Sequence, residues 1–172
     1  MITSYFIRKK IRKLAAEERQ KSRRSLPFDQ VKSVLVLYNA VDHEALREGF
    51  KMLKAAHKQL HTCLFVESEA LAEEVKKSAI VVEKKLLSAW GFPSEEVVSQ
   101  LASIPVDLLI DLTQPGCYPM QYVALRHPST FKVGVKYPEQ EWYDMGLLVA
   151  ERNDIAYLFE QILFYLRTIH HK

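Results

Sequence analysis

Short apolar runs bounded by turn signals alternate along this chain with segments of helical periodicity. The clearest run, 106–112, opens after Pro105 and closes at Thr113, Gln114, Pro115 and Gly116. An almost uninterrupted apolar run of this length is typical of a strand buried on both faces, in the middle of a parallel sheet. Further strands are predicted at Ser33–Asn39, 61–66 and 130–135, with weaker ones at 80–82 and 146–149.

Helices are predicted between these strands. Asp42 and Ser94 are placed as N-caps, a short helix is expected over 69–77, and another over Tyr118–Arg126. Asn153 or Asp154 opens the last helix, whose broad apolar face must be buried. Strands that alternate with helices imply right-handed crossovers. We therefore expect an α/β fold at 27–172, with a single doubly wound, mostly parallel, Rossmann-like sheet of five to six strands.

The first 26 residues form a separate segment, an extra basic, amphipathic helix over 4–23. It contains no Gly or Pro, and Ile7, Ile11 and Leu14 form a narrow apolar stripe that Glu18 ends. Such a stripe predicts docking at one end of the helix only. The alternative is a solvated, amphipathic helix lying on its own domain.

Charge sets this helix apart. Residues 1–24 hold nine cations against two carboxylates, a net +7, whereas the whole chain is +3 and the remainder is therefore −4. The cations are Arg8, Lys9, Lys10, Arg12, Lys13, Arg19, Lys21, Arg23 and Arg24. A basic arm on an acidic body predicts an anionic partner, either a membrane surface or an acidic macromolecule such as nucleic acid. The stripe, with Tyr5 and Phe6 near its start, favours lipid.

Localisation follows from similar reasoning. No apolar run approaches the roughly 20 residues of a membrane-spanning helix, and no signal-peptide core follows the basic N-terminus. Cys63 and Cys117 show no metal-type spacing and are read as two buried free thiols. We expect a cytoplasmic protein, with peripheral attachment at the inner membrane surface as the finer expectation.

Motifs for chemistry are absent from the sequence. There is no GxGxxG, GxxxxGK[ST], GxSxG or HExxH, so we expect no cofactor, no metal and no catalytic residue. The candidate ligand site is the carboxyl edge of the sheet, with the residues Asn39, Asp42, Asp111, Thr113, Gln114, Gly116 and Cys117. Free N–H groups of the helix after it suggest an anion or phosphate-bearing ligand. The favoured alternative is that Asp42 and Asp111 only cap a helix and a loop.

Two strands carry a first resemblance. Residues 107–112 read Asp-Leu-Leu-Ile-Asp-Leu, and residues 131–134 read Phe-Lys-Val-Gly. This resembles the N-terminal half of heptosyltransferase-type (GT-B) glycosyltransferases, where a similar strand precedes an Arg-hydrophobic-Gly strand. Those enzymes have a second nucleotide-sugar-binding half, for which this chain is too short. Their catalytic Gly-Asp pair is also missing, because Asp42 follows Val41, so no catalytic role is transferred.

A second resemblance covers nearly the whole chain. It is carried by residues 6–10, 33–40, 83–85, 90–93, 106–112, 131–134 and 143–145. On these stretches the chain is identified as a member of an uncharacterised bacterial family of small Rossmann-like proteins, known only as a domain of unknown function. The resemblance implies a fold and no activity.

Two hypotheses of function follow. The first is a non-catalytic binding or adaptor domain whose basic helix seeks an anionic partner. The second is a partial or degenerate glycosyltransferase-like enzyme that binds a small ligand or phospholigand at the carboxyl edge of the sheet. A deep pocket at that edge, lined by Asp42, Asp111, Thr113 and Gln114, favours a ligand site. An edge filled by its own side chains favours the adaptor.

Overall fold

The computed structural model describes residues 2–21, 25–138, 140–148 and 154–169. Its strands are β1 Ser33–Asn39, β2 Gln59–Val66, β3 Ile80–Glu83, β4 Leu108–Asp111, β5 Phe131–Val135 and β6 Met145–Leu147. They form one open sheet in the order β3-β2-β1-β4-β5-β6, and every neighbouring pair is parallel. The predicted α/β fold is confirmed, with a sheet that is wholly rather than mostly parallel.

The helices pack on both faces of this sheet. They are α1 Ile2–Gln20, α2 Arg47–Ala55, α3 Glu73–Ser78, α4 Glu95–Ala102, α5 Tyr118–Arg126 and α6 Ile155–Thr168. Side chains of α1, α4 and α5 share one core cluster, and those of α2, α3 and α6 share the other. The chain therefore winds outward from β1 in one direction and from β4 in the other. The point where the direction changes, between β1 and β4, is where such folds place ligands.

The central strand behaves as its apolar run predicts. Leu109 and Ile110 have no exposed surface, and they belong to the two opposite core clusters. This arrangement confirms a strand covered by helices on both faces.

Two of the predicted N-caps are confirmed and one is wrong. The Ser94 hydroxyl accepts the Val97 N–H at 3.3 Å, and the Asp154 carboxylate accepts the Ala156 N–H at 3.0 Å. Asp42 instead lies in a 3-10 turn, and α2 begins only at Arg47. A 2.8 Å hydrogen bond between the Tyr38 hydroxyl and His43 Nδ1 ties this turn to β1. The extra turn separates Asp42 from the helix that it was expected to cap.

Other element boundaries shift for local reasons. The predicted start of α3 at Glu69 is wrong, because the Glu69 carboxylate accepts the N–H groups of Glu67 and Ser68 and holds a loop before the helix. The predicted end of α1 at residue 23, the position of Asn153 and the end of the last strand at Val149 lie outside the described residues.

Helix α1 docks along most of its length. Ile7, Ile11 and Ala15 are buried and pack in the core cluster that includes α5. Farther along, the Glu18 carboxylate forms a 3.1 Å ion pair with Lys132 of β5, whose side chain is only 2% exposed. The expected docking at one end only is therefore wrong, because Glu18 continues the inner face of the helix instead of ending it.

Candidate functional site

The carboxyl ends of β1 and β4 meet at the switch point of the sheet. In the strand register Leu37 of β1 lies opposite Asp111 of β4, so Asn39 projects just beyond the end of β4. The Gln114 N–H donates to Asn39 Oδ1 at 2.8 Å and joins the two strand ends. The strand register and this hydrogen bond thus bring three of the predicted site residues, Asn39, Asp111 and Gln114, to one edge of the sheet.

One part of this edge is filled by the protein's own side chains. Asp111 Oδ1 accepts the Thr113 N–H at 3.0 Å and the Thr113 hydroxyl at 2.6 Å, and Asp111 Oδ2 accepts the Tyr143 hydroxyl at 2.6 Å. Asp111 and Thr113 are 2% and 5% exposed. A side chain at Gly134 of β5 would overlap the Tyr143 ring, so this glycine makes room for it. We call Asp111, Thr113 and Tyr143 the sealed triad.

Burial shifts the pKa values of two groups in the sealed triad, the Asp111 carboxyl and the Tyr143 hydroxyl. It raises the pKa of the Asp111 carboxyl, although the hydrogen bonds from Thr113 and Tyr143 work in the opposite direction. Burial, together with the adjacent carboxylate, also raises the pKa of Tyr143 well above its ordinary value. Because both groups are enclosed, their titration is linked to the stability of the fold and not to contact with a ligand.

The neighbouring part of the edge is open. A cavity of about 400 Å³ lies there, bounded by the strand ends, the β4–α5 loop, the loop after β3 and the start of α1. It is lined by Ser4, Ile7, Asn39, Phe65, Glu67, Lys84, Leu87, Gly91, Gln114, Pro115, Gly116, Cys117, Tyr118 and Pro119. We call this space the crevice. Of the predicted ligand-binding residues, Asn39, Gln114, Gly116 and Cys117 line it, whereas Asp42, Asp111 and Thr113 do not.

Cys117 presents a neutral thiol to the crevice. Burial raises its pKa to about 12, so the group is protonated at neutral pH. Cys63 lies in the same core cluster, and burial raises its pKa further still. Both are free cysteines, as the sequence predicts.

Two N–H groups in the first turn of α5 are occupied. The Tyr118 N–H donates to the Gly116 carbonyl at 2.9 Å, and the Gln121 N–H donates to the Cys117 carbonyl at 3.1 Å. Pro119 has no N–H, and the Met120 N–H, which lies near the Cys117 thiol and lowers its pKa, makes no geometric hydrogen bond to a described residue. This helix start therefore offers one N–H instead of the several expected, which weakens the argument for a phosphate-bearing ligand there.

Exposed basic and aromatic side chains lie on the outer face of α1 and on the loop after β3. Phe6 of α1 packs edge-on against Trp90 with ring centroids 4.5 Å apart, and the two residues remain 45% and 47% exposed. Lys9, Lys10 and Lys13 are exposed beside Phe6 and form no ion pair with any described residue. Tyr5 and Leu86 are also exposed large side chains. We call Tyr5, Phe6, Lys9, Lys10, Lys13, Leu86 and Trp90 the basic–aromatic face.

Of the other predicted cations of the N-terminal segment, Arg8 and Arg12 adjoin Tyr5 and Lys9 of this face. Arg8, Arg12 and Arg19 line a separate groove of about 240 Å³, where the Arg8 guanidinium lies 5.4 Å from the centroid of the Tyr118 ring. Lys21 forms a 2.9 Å ion pair with Glu18. Arg23 and Arg24 lie outside the described residues.

Sequence reasoning missed several crevice residues. Glu67 directly follows β2, just as Asn39 ends β1, so the strand-end rule that selected Asn39 could also have selected Glu67. No local signal marks Ser4 or Ile7, because their place at the crevice depends on where α1 docks.

Within the described part of the chain, no group of three or more His, Cys, Asp or Glu side chains is placed to hold a metal ion. None of the helices described there has the length and apolar character needed to cross a membrane.

Comparison with known proteins gives a family and no activity. No curated protein and no solved structure matches the chain. The resemblance to glycosyltransferases therefore rests on two strands alone, whereas the resemblance to an uncharacterised family is confirmed. The model of a family of unknown function, DUF6913, matches residues 4–169 and hence almost all of the sheet and its helices, and this chain belongs to that family.

Proposed function

We propose that this chain is a non-catalytic binding domain that docks on an anionic lipid surface through the basic–aromatic face. The observation that carries the proposal is the Phe6–Trp90 pair, two large rings held in contact yet nearly half exposed. Lys9, Lys10 and Lys13, which form no ion pair with any described residue, lie on the same helix as Phe6. We do not extend the proposal to catalysis, since the Cys117 thiol is protonated and Asp111 is enclosed.

A surface that combines exposed aromatic rings with cations is suited to the headgroup region of an anionic membrane. Trp and Tyr are favoured at the membrane–water interface, where the ring is apolar and its polar atom stays hydrated. Each Lys held near an anionic membrane adds about 1 kcal/mol at low salt. Lys84 and Lys85 precede Leu86, but they form ion pairs with Glu67 and Glu83. The attraction is therefore assigned mainly to Lys9, Lys10 and Lys13, with Arg8 and Arg12 next to them.

Docking in this way needs no rearrangement of α1. Its inner face, from Ile7 to Glu18, stays packed on the domain, and only the outer face meets the membrane. Deletion of the first 26 residues is therefore a poor test, because it would also remove Ile7, Ile11 and Ala15 from the core.

Substitution of the outer face gives a cleaner experiment. The full chain is co-sedimented with vesicles that contain phosphatidylcholine alone or a mixture with phosphatidylserine. We expect sedimentation with the anionic vesicles only, and at least a tenfold loss for the Lys9→Gln/Lys10→Gln/Lys13→Gln variant. The control Lys51→Gln/Lys54→Gln/Lys77→Gln removes the same charge from α2 and α3 and should sediment like the wild type.

A Trp90→Ser variant tests the aromatic part and should weaken sedimentation at equal charge. Equal losses in the two lysine variants would contradict a specific face, because they would show attraction by net charge alone. Binding to single- or double-stranded DNA without any vesicle binding would replace lipid by nucleic acid as the partner.

A further inference from the structure

The crevice is a second site, distinct from the lipid-facing surface. We propose that it binds one small, uncharged and largely apolar molecule. Its volume of about 400 Å³ lies in the usual range for small-molecule sites, and it sits at the switch point where α/β sheets place ligands. This inference goes beyond membrane docking and does not depend on it.

The electrostatics of the crevice disfavour a strongly charged ligand. Among the described residues that line it, Lys84 is the one cation and Glu67 the one carboxylate, and the two form a 2.8 Å ion pair. The Cys117 thiol is neutral, and the first turn of α5 leaves only the Met120 N–H, beside that thiol, for an anion. A bound charge would therefore lose its hydration without a counter-charge to replace it.

The walls indicate an apolar body for the ligand. Six of the lining residues have apolar or aromatic side chains, namely Ile7, Phe65, Leu87, Pro115, Tyr118 and Pro119. The Gln114 side-chain amide is exposed at this site and makes no hydrogen bond to any residue that the structure describes. It can donate to, and accept from, one uncharged polar group such as a hydroxyl, carbonyl or amide.

The mouth of the crevice adjoins the basic–aromatic face. Ser4, Leu87 and Gly91 line the crevice, and their chain neighbours Tyr5, Leu86 and Trp90 are exposed on that face. An apolar ligand can enter between these segments without crossing the sealed triad.

Two matched probes test the proposal on the full chain in the absence of lipid. N-phenyl-1-naphthylamine is uncharged, and 1-anilinonaphthalene-8-sulfonate is the same molecule with a sulfonate. We expect saturable, one-site binding of the uncharged probe, followed by its fluorescence. The Gln114→Phe variant places a ring at the mouth and should weaken this binding at least tenfold. Gln100→Phe, an equal change at an exposed position of α4, should leave it unchanged.

The outcomes separate this inference from the proposed function. The Lys9→Gln/Lys10→Gln/Lys13→Gln variant should bind the uncharged probe like the wild type even if it no longer sediments with vesicles. Equal probe affinity in Gln114→Phe and Gln100→Phe, or binding without saturation, would overturn the crevice as a site. Tighter binding of the sulfonated probe that Gln114→Phe weakens would overturn its preference for an uncharged ligand.

Discussion

The sealed triad and the crevice lie side by side at one edge of one sheet, yet they differ in whether a central polar side chain is hydrogen-bonded within the fold. In the sealed triad each oxygen of Asp111 has a hydrogen-bond partner, and the carboxyl is withdrawn from solvent. In the crevice the Gln114 amide has no partner among the described residues. The comparison shows that position at the carboxyl edge alone does not make a polar side chain available to a ligand, because the hydrogen bonds within the fold decide it.

The sealed triad should be the more costly half to disturb. Asp111→Ala removes the acceptor for the Tyr143 hydroxyl and for two Thr113 donors, and we expect a loss of about 3 kcal/mol in the free energy of unfolding. Urea denaturation measures it. Asp42→Ala is the matched control, since Asp42 makes no side-chain hydrogen bond to a described residue, and it should change stability by less than about 0.5 kcal/mol. Similar losses in both variants would show that the triad is not a stabilising unit.

A pH series distinguishes the enclosed carboxyl from an exposed one. Folding raises the pKa of Asp111 above its ordinary value of 3.8, so its contribution to stability is full below that pH. The contribution is lost as the pH rises through the raised pKa, with a slope of at most about 1.4 kcal/mol per pH unit.

Asp111→Asn supplies the reference for that series, because an amide has similar shape and does not titrate. We expect the stability of the wild type, relative to this variant, to fall as the pH rises from 3.5 to 7 in urea titrations. A difference that stays constant, or that grows with pH, would mean that the carboxylate is well solvated.

A smaller effect than that of Asp111→Ala is expected at the crevice. Asn39→Ala removes the 2.8 Å hydrogen bond from the Gln114 N–H, which lies near solvent, and should cost about 1 kcal/mol. Thermal or urea unfolding would measure it. If this loss equalled that of Asp111→Ala, the contrast between a sealed and an open half of the edge would fail.

Local patterns predicted much of the candidate site. The end of β1 and the loop after β4 follow from apolar runs and turn residues, and Asn39, Gln114, Gly116 and Cys117 do line the crevice. The same reasoning could not tell that Asp111 is enclosed, because its partner Tyr143 lies 32 residues away in the chain. The charge pattern of the sequence predicted the lysines of α1 as contacts to an anionic partner. It did not connect them with Trp90, which packs on Phe6.

The sequence by itself determined the succession of strands and helices and, through the short crossovers, a parallel doubly wound sheet. These features depend on periodicity and turn chemistry, which act over a few residues. Only the tertiary structure decided that α1 packs through the Glu18–Lys132 pair, that Tyr143 closes over Asp111, and that Ser4 and Ile7 border the crevice. Each of these joins residues far apart in the chain, and the balance between burying a polar group and pairing it is set by the whole fold.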